Sequence, residues 1–141
     1  MIRKLRKADI DSVAEIWLDA NREAHAFIPA SYWERNFASV KEMLPQAEVY
    51  VYETDQGIQG FLGLNGEYIE GIFVSVGAQS RGIGKCLLDC AKDRKPALRL
   101  NVYQKNDIGR FILPTRRFQI QRSGLDAATG EPDYEMLWRR E

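Results

Sequence analysis

The sequence has few of the residues that bind metals or form disulfide frameworks. Its 141 residues include one histidine and two cysteines. Cys86 and Cys90 lie four positions apart, so they would share one face of a helix with no further ligand nearby. We therefore predict no metal site. Two free thiols of this kind favour a reducing, cytoplasmic location.

Net charge and long apolar runs are also missing. Twenty basic and twenty acidic residues cancel, so no broad positive surface for nucleic acid or a membrane is expected. No apolar run approaches the roughly 18 residues of a membrane-spanning helix, and the N-terminal residues lack the apolar core of a signal peptide. The length suits a single domain, residues 1–141. The sequence leaves open whether the chain is a monomer or a homodimer.

Apolar periodicity predicts seven strands and three or four helices. Each predicted strand is a short alternating or apolar run between turn residues. The strands are Ile2 to Arg6, Val49 to Thr54, Ile58 to Leu64, Tyr68 to Val76, Ala97 to Tyr103, Phe118 to Arg122 and Tyr134 to Trp138. A helix capped by Asp9 or Asp11 follows the first strand. The others are about Ser31 to Met43, with Tyr32, Phe37 and Val40 as candidate inward residues, and Ile83 to Asp93. A short fourth helix would begin at Asn106 and end or kink at Pro114.

The resulting order, β-α-α-β-β-β-α-β-α-β-β, predicts an α/β (α+β) fold. The three middle strands form an antiparallel meander, because Asn65-Gly66 is a two-residue hairpin signal. The next strand follows a crossover helix and should pair in parallel. Ile72-Phe73-Val74 is apolar on both faces, as in a covered central strand. We expect a mixed central sheet with helices on both faces.

The most informative stretch is Gln79 to Lys85, between that central strand and the third helix. The first N–H groups of a helix have no partner inside it and attract anions. Gly82 and Gly84 allow close backbone approach, and Arg81 and Lys85 add positive charge. The pattern predicts a cradle for a pyrophosphate group.

Two common phosphate-binding motifs do not fit this stretch. A P-loop would need a glycine where Gln79 stands and a hydroxyl where Cys86 stands. A dinucleotide fingerprint would need a third glycine where Leu87 stands. The remaining pattern is Gln-x-x-Gly-x-Gly.

The stretch Ile72 to Leu88, with this pattern, resembles the acetyl-CoA motif of the GNAT superfamily of N-acetyltransferases. The predicted order of strands and helices is similar to that family's fold over almost the whole chain. His25-x-Phe27-Ile28 followed by Tyr32-Trp33 also resembles a small bacterial subgroup of these enzymes.

The resemblance implies a set of cofactor-binding residues. The central strand would offer backbone groups to the pantetheine arm of acetyl-CoA, and one of its amides could polarise the acetyl carbonyl. The turn would hold the pyrophosphate, and Asn106 matches the family's asparagine that contacts coenzyme A. The set is Ile72, Phe73, Val74, Gln79, Ser80, Arg81, Gly82, Ile83, Gly84, Lys85 and Asn106.

The segment after Asn106 departs from the family pattern. The family's tyrosine, which commonly protonates the departing thiolate, would fall at Leu113, and its glycine at Arg117; Phe118 matches again. The register recovers without a gap. This motivates the hypothesis of two compensating reading-frame shifts between Ile108 and Arg117.

Three residues are candidate catalytic groups in place of the usual ones. Tyr103 is the nearest replacement for the missing tyrosine. The family's carboxylate on the same strand falls at Asn101, so Glu70 (or its neighbour Glu67) is the alternative base. His25, the single histidine, titrates in the useful range and ends the first helix, on the acceptor side in the family. A packing role for Tyr103 and His25, and a solvated charge for Glu70, are the more common roles of such residues.

These observations predict an acetyl-CoA-dependent N-acetyltransferase that needs no metal. A primary amine, on a small molecule or on a protein lysine or N-terminus, would attack the thioester directly in a ternary complex. The alternative is a catalytically impaired module that binds acetyl-CoA or coenzyme A, because Leu113 cannot donate a proton.

Overall fold

The computed structural model describes residues 1–106 and 112–141. Its strands are β1 (Ile2–Lys4), β2 (Glu48–Thr54), β3 (Gly57–Asn65), β4 (Tyr68–Val74), β5 (Ala97–Tyr103), β6 (Gln119–Leu125) and β7 (Pro132–Arg139). Its helices are α1 (Ile10–Ala24), α2 (Ala30–Met43), α3 (Ile83–Arg94) and the single turn α4 (Leu113–Thr115). The predicted order of elements is therefore confirmed.

The strands form one seven-stranded sheet in the order β1-β2-β3-β4-β5-β7-β6. β4 and β5 pair in parallel, as the crossover helix α3 requires, and the other neighbours in the sheet are antiparallel. The predicted meander of β2, β3 and β4 is confirmed. β6 lies at the edge of the sheet, and its residues are exposed.

Helices cover both faces of the sheet, because alternate strand residues point to opposite sides. On one face, Val49, Val51 and Phe61 pack with the apolar stripe of α1. On the other face, Leu62 and Leu64 pack with α3. In α2, the buried residue is Trp33 rather than Tyr32, while Phe37 and Val40 are partly buried against the α1 side.

The central strand differs from its prediction in two respects, each with an identifiable reason. β4 ends at Val74, because Val76–Ala78 form a 3-10 turn that leads into the glycine segment. Ile72, Phe73 and Val74 are half-buried rather than fully covered, since β5 pairs with β4 only near its start. None of the helices in the described ranges has the length and apolar character needed to cross a membrane.

Candidate active site

A cavity opens where β4 and β5 stop pairing. The two strands are in register at Tyr68 and Arg99, and the Arg99 amide donates to the Glu67 carbonyl at 2.9 Å. No further registered pair joins them within the described residues. Beyond this point both strands line a cavity of about 320 Å³. Unpaired strand edges of this kind can bind an extended ligand through its backbone-like groups.

The turn before α3 has the backbone of an anion cradle. Ser80 and Gly82 have positive φ angles of 65° and 81°, and Gly82 immediately precedes the first residue of α3. A side chain at Gly82 would meet no atom within 4 Å, so the backbone faces open space. A ligand can therefore approach the first amides of α3 closely. This observation fits a pyrophosphate group.

Side chains hold the cradle against β4. Ile83 is buried against the α3 side of the sheet. The Gln79 side-chain amide donates to the Val74 carbonyl at 3.3 Å. Arg81 and Lys85 are exposed at the same turn. The predicted cofactor residues 79–85 thus lie at the end of β4, next to the strand predicted to hold the pantetheine arm.

The candidate catalytic residues lie together around the cavity. His25, Glu70 and Tyr103 all line it, as do Ile72, Phe73 and Asn106 from the predicted cofactor set. Val74 and residues 79–85 lie outside this lining. The structure therefore places the predicted residues in two adjoining groups, one at the turn and one in the cavity.

His25 is buried and bonded through both ring nitrogens. Its Nδ1 lies 3.0 Å from Asn21 Oδ1, and its Nε2 lies 2.9 Å from Asn106 Nδ2. The ring packs against Phe27, Trp33 and Tyr103 at centroid distances of 5.6, 5.5 and 4.9 Å. Burial lowers the pKa of His25 to about 4, so the ring is neutral at pH 7.

Tyr103 is half-buried and donates to a carboxylate. Its hydroxyl lies 2.8 Å from Asp126 Oδ2, which also accepts from Thr129 at 2.7 Å. Burial, and then the bond to Asp126, raise the pKa of Tyr103. Burial acts to raise the pKa of Asp126 as well, but the hydroxyl donors Thr129 and Tyr103 and the backbone amides of Ala128 and Thr129 together outweigh it and hold that pKa below its usual value. The phenol is therefore protonated and the carboxylate charged at neutral pH.

Among the cavity residues that sequence reasoning did not select as site residues are Tyr68, Asn101, Asp126 and Asp133. The Tyr68 hydroxyl donates to Asn101 Oδ1 at 2.7 Å, and the Asn101 amide lies 3.4 Å from Asp133 Oδ2. Asp133 stands opposite Tyr103 in the β5–β7 ladder. Sequence reasoning missed Asp133 because it did not include the pairing of β7 with β5. That pairing brings the Asp133 carboxylate beside β5, the strand on which Asn101 stands at the position of the family's carboxylate.

Leu113 closes one side of the cavity. It is 1% exposed and belongs to the core on the α3 side. Its carbonyl accepts the Phe118 amide at 3.1 Å, so this turn leads directly into β6. The departure from the family pattern runs from Ile108 to Arg117, and its first part, residues 108–111, lies outside the described residues.

Comparison with known proteins gives relatives over the full chain. No family model matches. The chain is 32% identical over 140 residues to the peptidyl-lysine N-acetyltransferase YiaC of Escherichia coli K12, covering 98% of this chain and 96% of that protein. The solution structure of apo YjaB from E. coli superposes with a TM-score of 0.86 at 22% identity, covering 98% and 96% of the two chains.

A second similar structure was solved with coenzyme A bound. The PaiA N-acetyltransferase of Thermoplasma acidophilum, in complex with coenzyme A, has a TM-score of 0.81 at 19% identity, covering 99% and 98% of the two chains. This fold similarity covers almost the whole length of both chains. Together with the YiaC identity, it shows that the chain belongs to the GNAT superfamily of acetyl-CoA-dependent N-acetyltransferases.

Proposed function

We propose that this chain, as one domain of residues 1–141, acetylates the ε-amino group of lysine side chains in proteins. The observation that carries the proposal is the set of carboxylates around the cavity beside the cradle: Glu70, Asp126 and Asp133. A lysine enters such a site as an ammonium ion, which nearby carboxylates attract. The relatives YiaC and YjaB are named peptidyl-lysine N-acetyltransferases, which supports the same acceptor.

Different residues would bind the two substrates, acetyl-CoA and the acceptor lysine. The amides from Ser80 to Lys85 would bind the pyrophosphate of acetyl-CoA, which supplies the thioester. The half-buried edge at Ile72, Phe73 and Val74 would bind its pantetheine arm. The acceptor would enter from the side of Glu70 and Asp133, which leaves the two reactants side by side in the cavity.

Transfer requires the acceptor to lose one proton before it attacks. The neutral amine forms an N–C bond to the acetyl carbonyl and the C–S bond breaks. The nitrogen gives up a second proton as the amide forms, which balances the proton that the departing thiolate takes up. Asp133 and Glu70 are the proposed proton acceptors, directly or through water. Asp126 is less suited, since Tyr103 and Thr129 already donate to it.

Tyr103 is a weak proton donor for the departing thiolate. The proton of Tyr103 points at Asp126, and its raised pKa makes it a poorer acid. Leu113 has no proton to give. A free thiol has a pKa of about 8.5, so solvent can protonate it without a dedicated acid. General acid catalysis is typically worth roughly 10²- to 10⁴-fold, and we expect turnover to be slow by a factor in this range.

The test separates binding from transfer. Acetyl-CoA is titrated calorimetrically, and thiol release is then followed with a lysine peptide and with the same peptide carrying arginine instead. We expect binding, and thiol release only with lysine. Binding without release from any lysine peptide would favour the alternative, a coenzyme A binding module. Absence of binding would overturn both.

Gly82→Glu tests the cradle. The new side chain adds bulk and negative charge where the pyrophosphate would lie, and the positive φ of 81° disfavours it. We expect calorimetric binding of acetyl-CoA to be lost. Gly66→Glu is the matched control, because Gly66 also has a positive φ and open space but lies at the opposite end of β4. Equal affinity in both variants would place the pyrophosphate elsewhere.

A further inference from the structure

A buried chain of hydrogen bonds joins α1 to Asn106. The Asn21 side-chain amide donates to the Trp17 carbonyl at 2.8 Å, which turns Asn21 Oδ1 toward His25. Oδ1 can only accept, so His25 Nδ1 carries the ring hydrogen. Nε2 is then the acceptor, and Asn106 Nδ2 donates to it at 2.9 Å. Each donor and acceptor in this series of hydrogen bonds is fixed by the one before it.

The surroundings of His25 hold this arrangement in place. The side chains of Asn21 and His25 are buried, at 2% and 8% exposure. Phe27, Trp33 and Tyr103 contact the imidazole and restrict its rotation. Protonation would place a second N–H against the Asn106 amide, and the depressed pKa of His25 shows that burial opposes it. The ring therefore presents a permanent acceptor to Asn106.

We propose that His25 is a positioning residue that orients the Asn106 side chain, and through it sets the affinity for acetyl-CoA. Nδ2 of Asn106 faces His25, so its Oδ1 faces away from the ring. Asn106 lines the cavity between β4 and β5. The inference rests on the proposed function, in which Asn106 contacts the cofactor. It assigns His25 to substrate binding instead of proton transfer.

Two substitutions separate hydrogen bonding from packing. His25→Gln places an amide oxygen near the former Nε2 and keeps an acceptor for Asn106, but loses the aromatic ring. His25→Phe keeps the ring and loses the acceptor. If His25 positions Asn106, the calorimetric Kd for acetyl-CoA rises roughly five- to tenfold in His25→Phe, the loss expected for one hydrogen bond, and stays within about twofold of wild type in His25→Gln. The opposite order would overturn the proposal and assign His25 to packing.

A double-mutant comparison tests the route through Asn106. Asn106→Ala alone should weaken binding, and adding His25→Phe should weaken it no further. Additive losses would show that His25 acts independently of Asn106 and would overturn the inference. The shape of the pH profile of kcat/KM should be unchanged in His25→Gln. Loss of kcat in both His25 variants with unchanged Kd would make His25 a catalytic base instead.

The same measurements distinguish failure of this inference from failure of the proposed function. If the wild-type protein does not bind acetyl-CoA, the proposed function fails. If it binds and His25→Phe binds equally well, only the positioning role fails. Thermal unfolding of each variant is measured alongside, so that Kd values are compared only between folded proteins.

Discussion

At the scale of single residues, the chemistry of His25 depends on a partner far away in the chain. The sequence correctly marks it as the single histidine, at the end of a helix and beside aromatic residues. Its bond to Asn106 spans 81 positions. Residue type predicts that a histidine can titrate near neutral pH. Burial and the direction of its hydrogen bonds come from tertiary packing, which local sequence does not encode.

This burial predicts a pH dependence of stability. The pKa of His25 is about 4 in the folded chain and has an ordinary value of 6.5 when unfolded. The unfolded state therefore binds the proton first as the pH falls. The stabilisation is fully present above about pH 6.5 and is lost between there and about pH 4. It amounts to about 3 kcal/mol at most, from about 1.36 kcal/mol per pKa unit.

Urea unfolding at a series of pH values checks this expectation. The free energy of unfolding should fall between pH 6.5 and pH 5 in the wild-type protein. In His25→Gln this fall should disappear, because no other histidine is present and carboxylates titrate mainly below this range. An unchanged slope in His25→Gln would show that another group causes it.

At the scale of elements, the most predictable part of the site is the one whose elements are consecutive in the sequence. β4, the glycine turn and α3 follow one another in the chain, so their spacing alone predicted a helix N-terminus next to a strand end. The opposite wall of the cavity was not predictable in this way. Asp126 and Asp133 come from the β6–β7 hairpin, and only the pairing of β7 with β5 brings them to the cavity.

The contact between β3 and α3 gives a test at this scale. A side chain at Gly60 would lie 2.9 Å from the Phe73 carbonyl oxygen and 3.1 Å from Ile83 Cγ2, the first residue of α3. Gly60→Ala should therefore push α3 away from the sheet. We expect a loss of about 1–3 kcal/mol in the free energy of unfolding and weaker binding of acetyl-CoA.

Gly63→Ala is the matched control for Gly60→Ala. Gly63 is buried in the same strand, but a side chain there would meet its nearest atoms at 4.0 Å, an ordinary contact. Chemical unfolding and calorimetric titration of both variants make the comparison. If Gly63→Ala destabilises as much as Gly60→Ala, the effect belongs to strand β3 in general and not to the approach of α3.

The atypical segment yields a prediction about the coding DNA. Every leucine codon has T as its second base and every proline codon begins with C. Read one base later, the triplet at Leu113 is therefore T-N-C, which encodes Phe, Ser, Tyr or Cys. Every arginine codon has G as its second base, so the shifted triplet at Arg117 begins with G, as glycine codons do.

We expect the shifted frame to read TAC, for tyrosine, at position 113, and GG as the first two bases at position 117. This would restore the family pattern before Phe118. Sequencing of the gene checks it directly. Any other triplet at Leu113 would leave leucine as the genuine residue, and the weak acid catalysis expected from it would be a property of the enzyme.

At the scale of the whole molecule, a net charge of zero conceals two opposite local charges. Arg81 and Lys85 are exposed at the cradle, whereas Glu70, Asp126 and Asp133 line the cavity. Acetyl-CoA is an anion and a lysine side chain is a cation. Composition alone predicted only the absence of a broad charged surface. The separation of Arg81 and Lys85 from Asp126 and Asp133 follows from the topology, because α3 follows β4 whereas the β6–β7 hairpin pairs with β5.

This separation predicts that salt weakens the binding of acetyl-CoA and the binding of a lysine peptide independently of each other. The screening length falls from about 10 Å at 0.1 M salt to about 3 Å at 1 M, so the Kd of acetyl-CoA and the KM of a lysine peptide should both rise with salt. Lys85→Gln should reduce the salt dependence for acetyl-CoA alone, and Asp133→Asn that for the peptide alone. Calorimetry and initial rates at a series of salt concentrations measure the two slopes. A change of both slopes in either variant would mean that the substrates share one electrostatic field, and that the acceptor enters beside the cradle instead of beside Asp133.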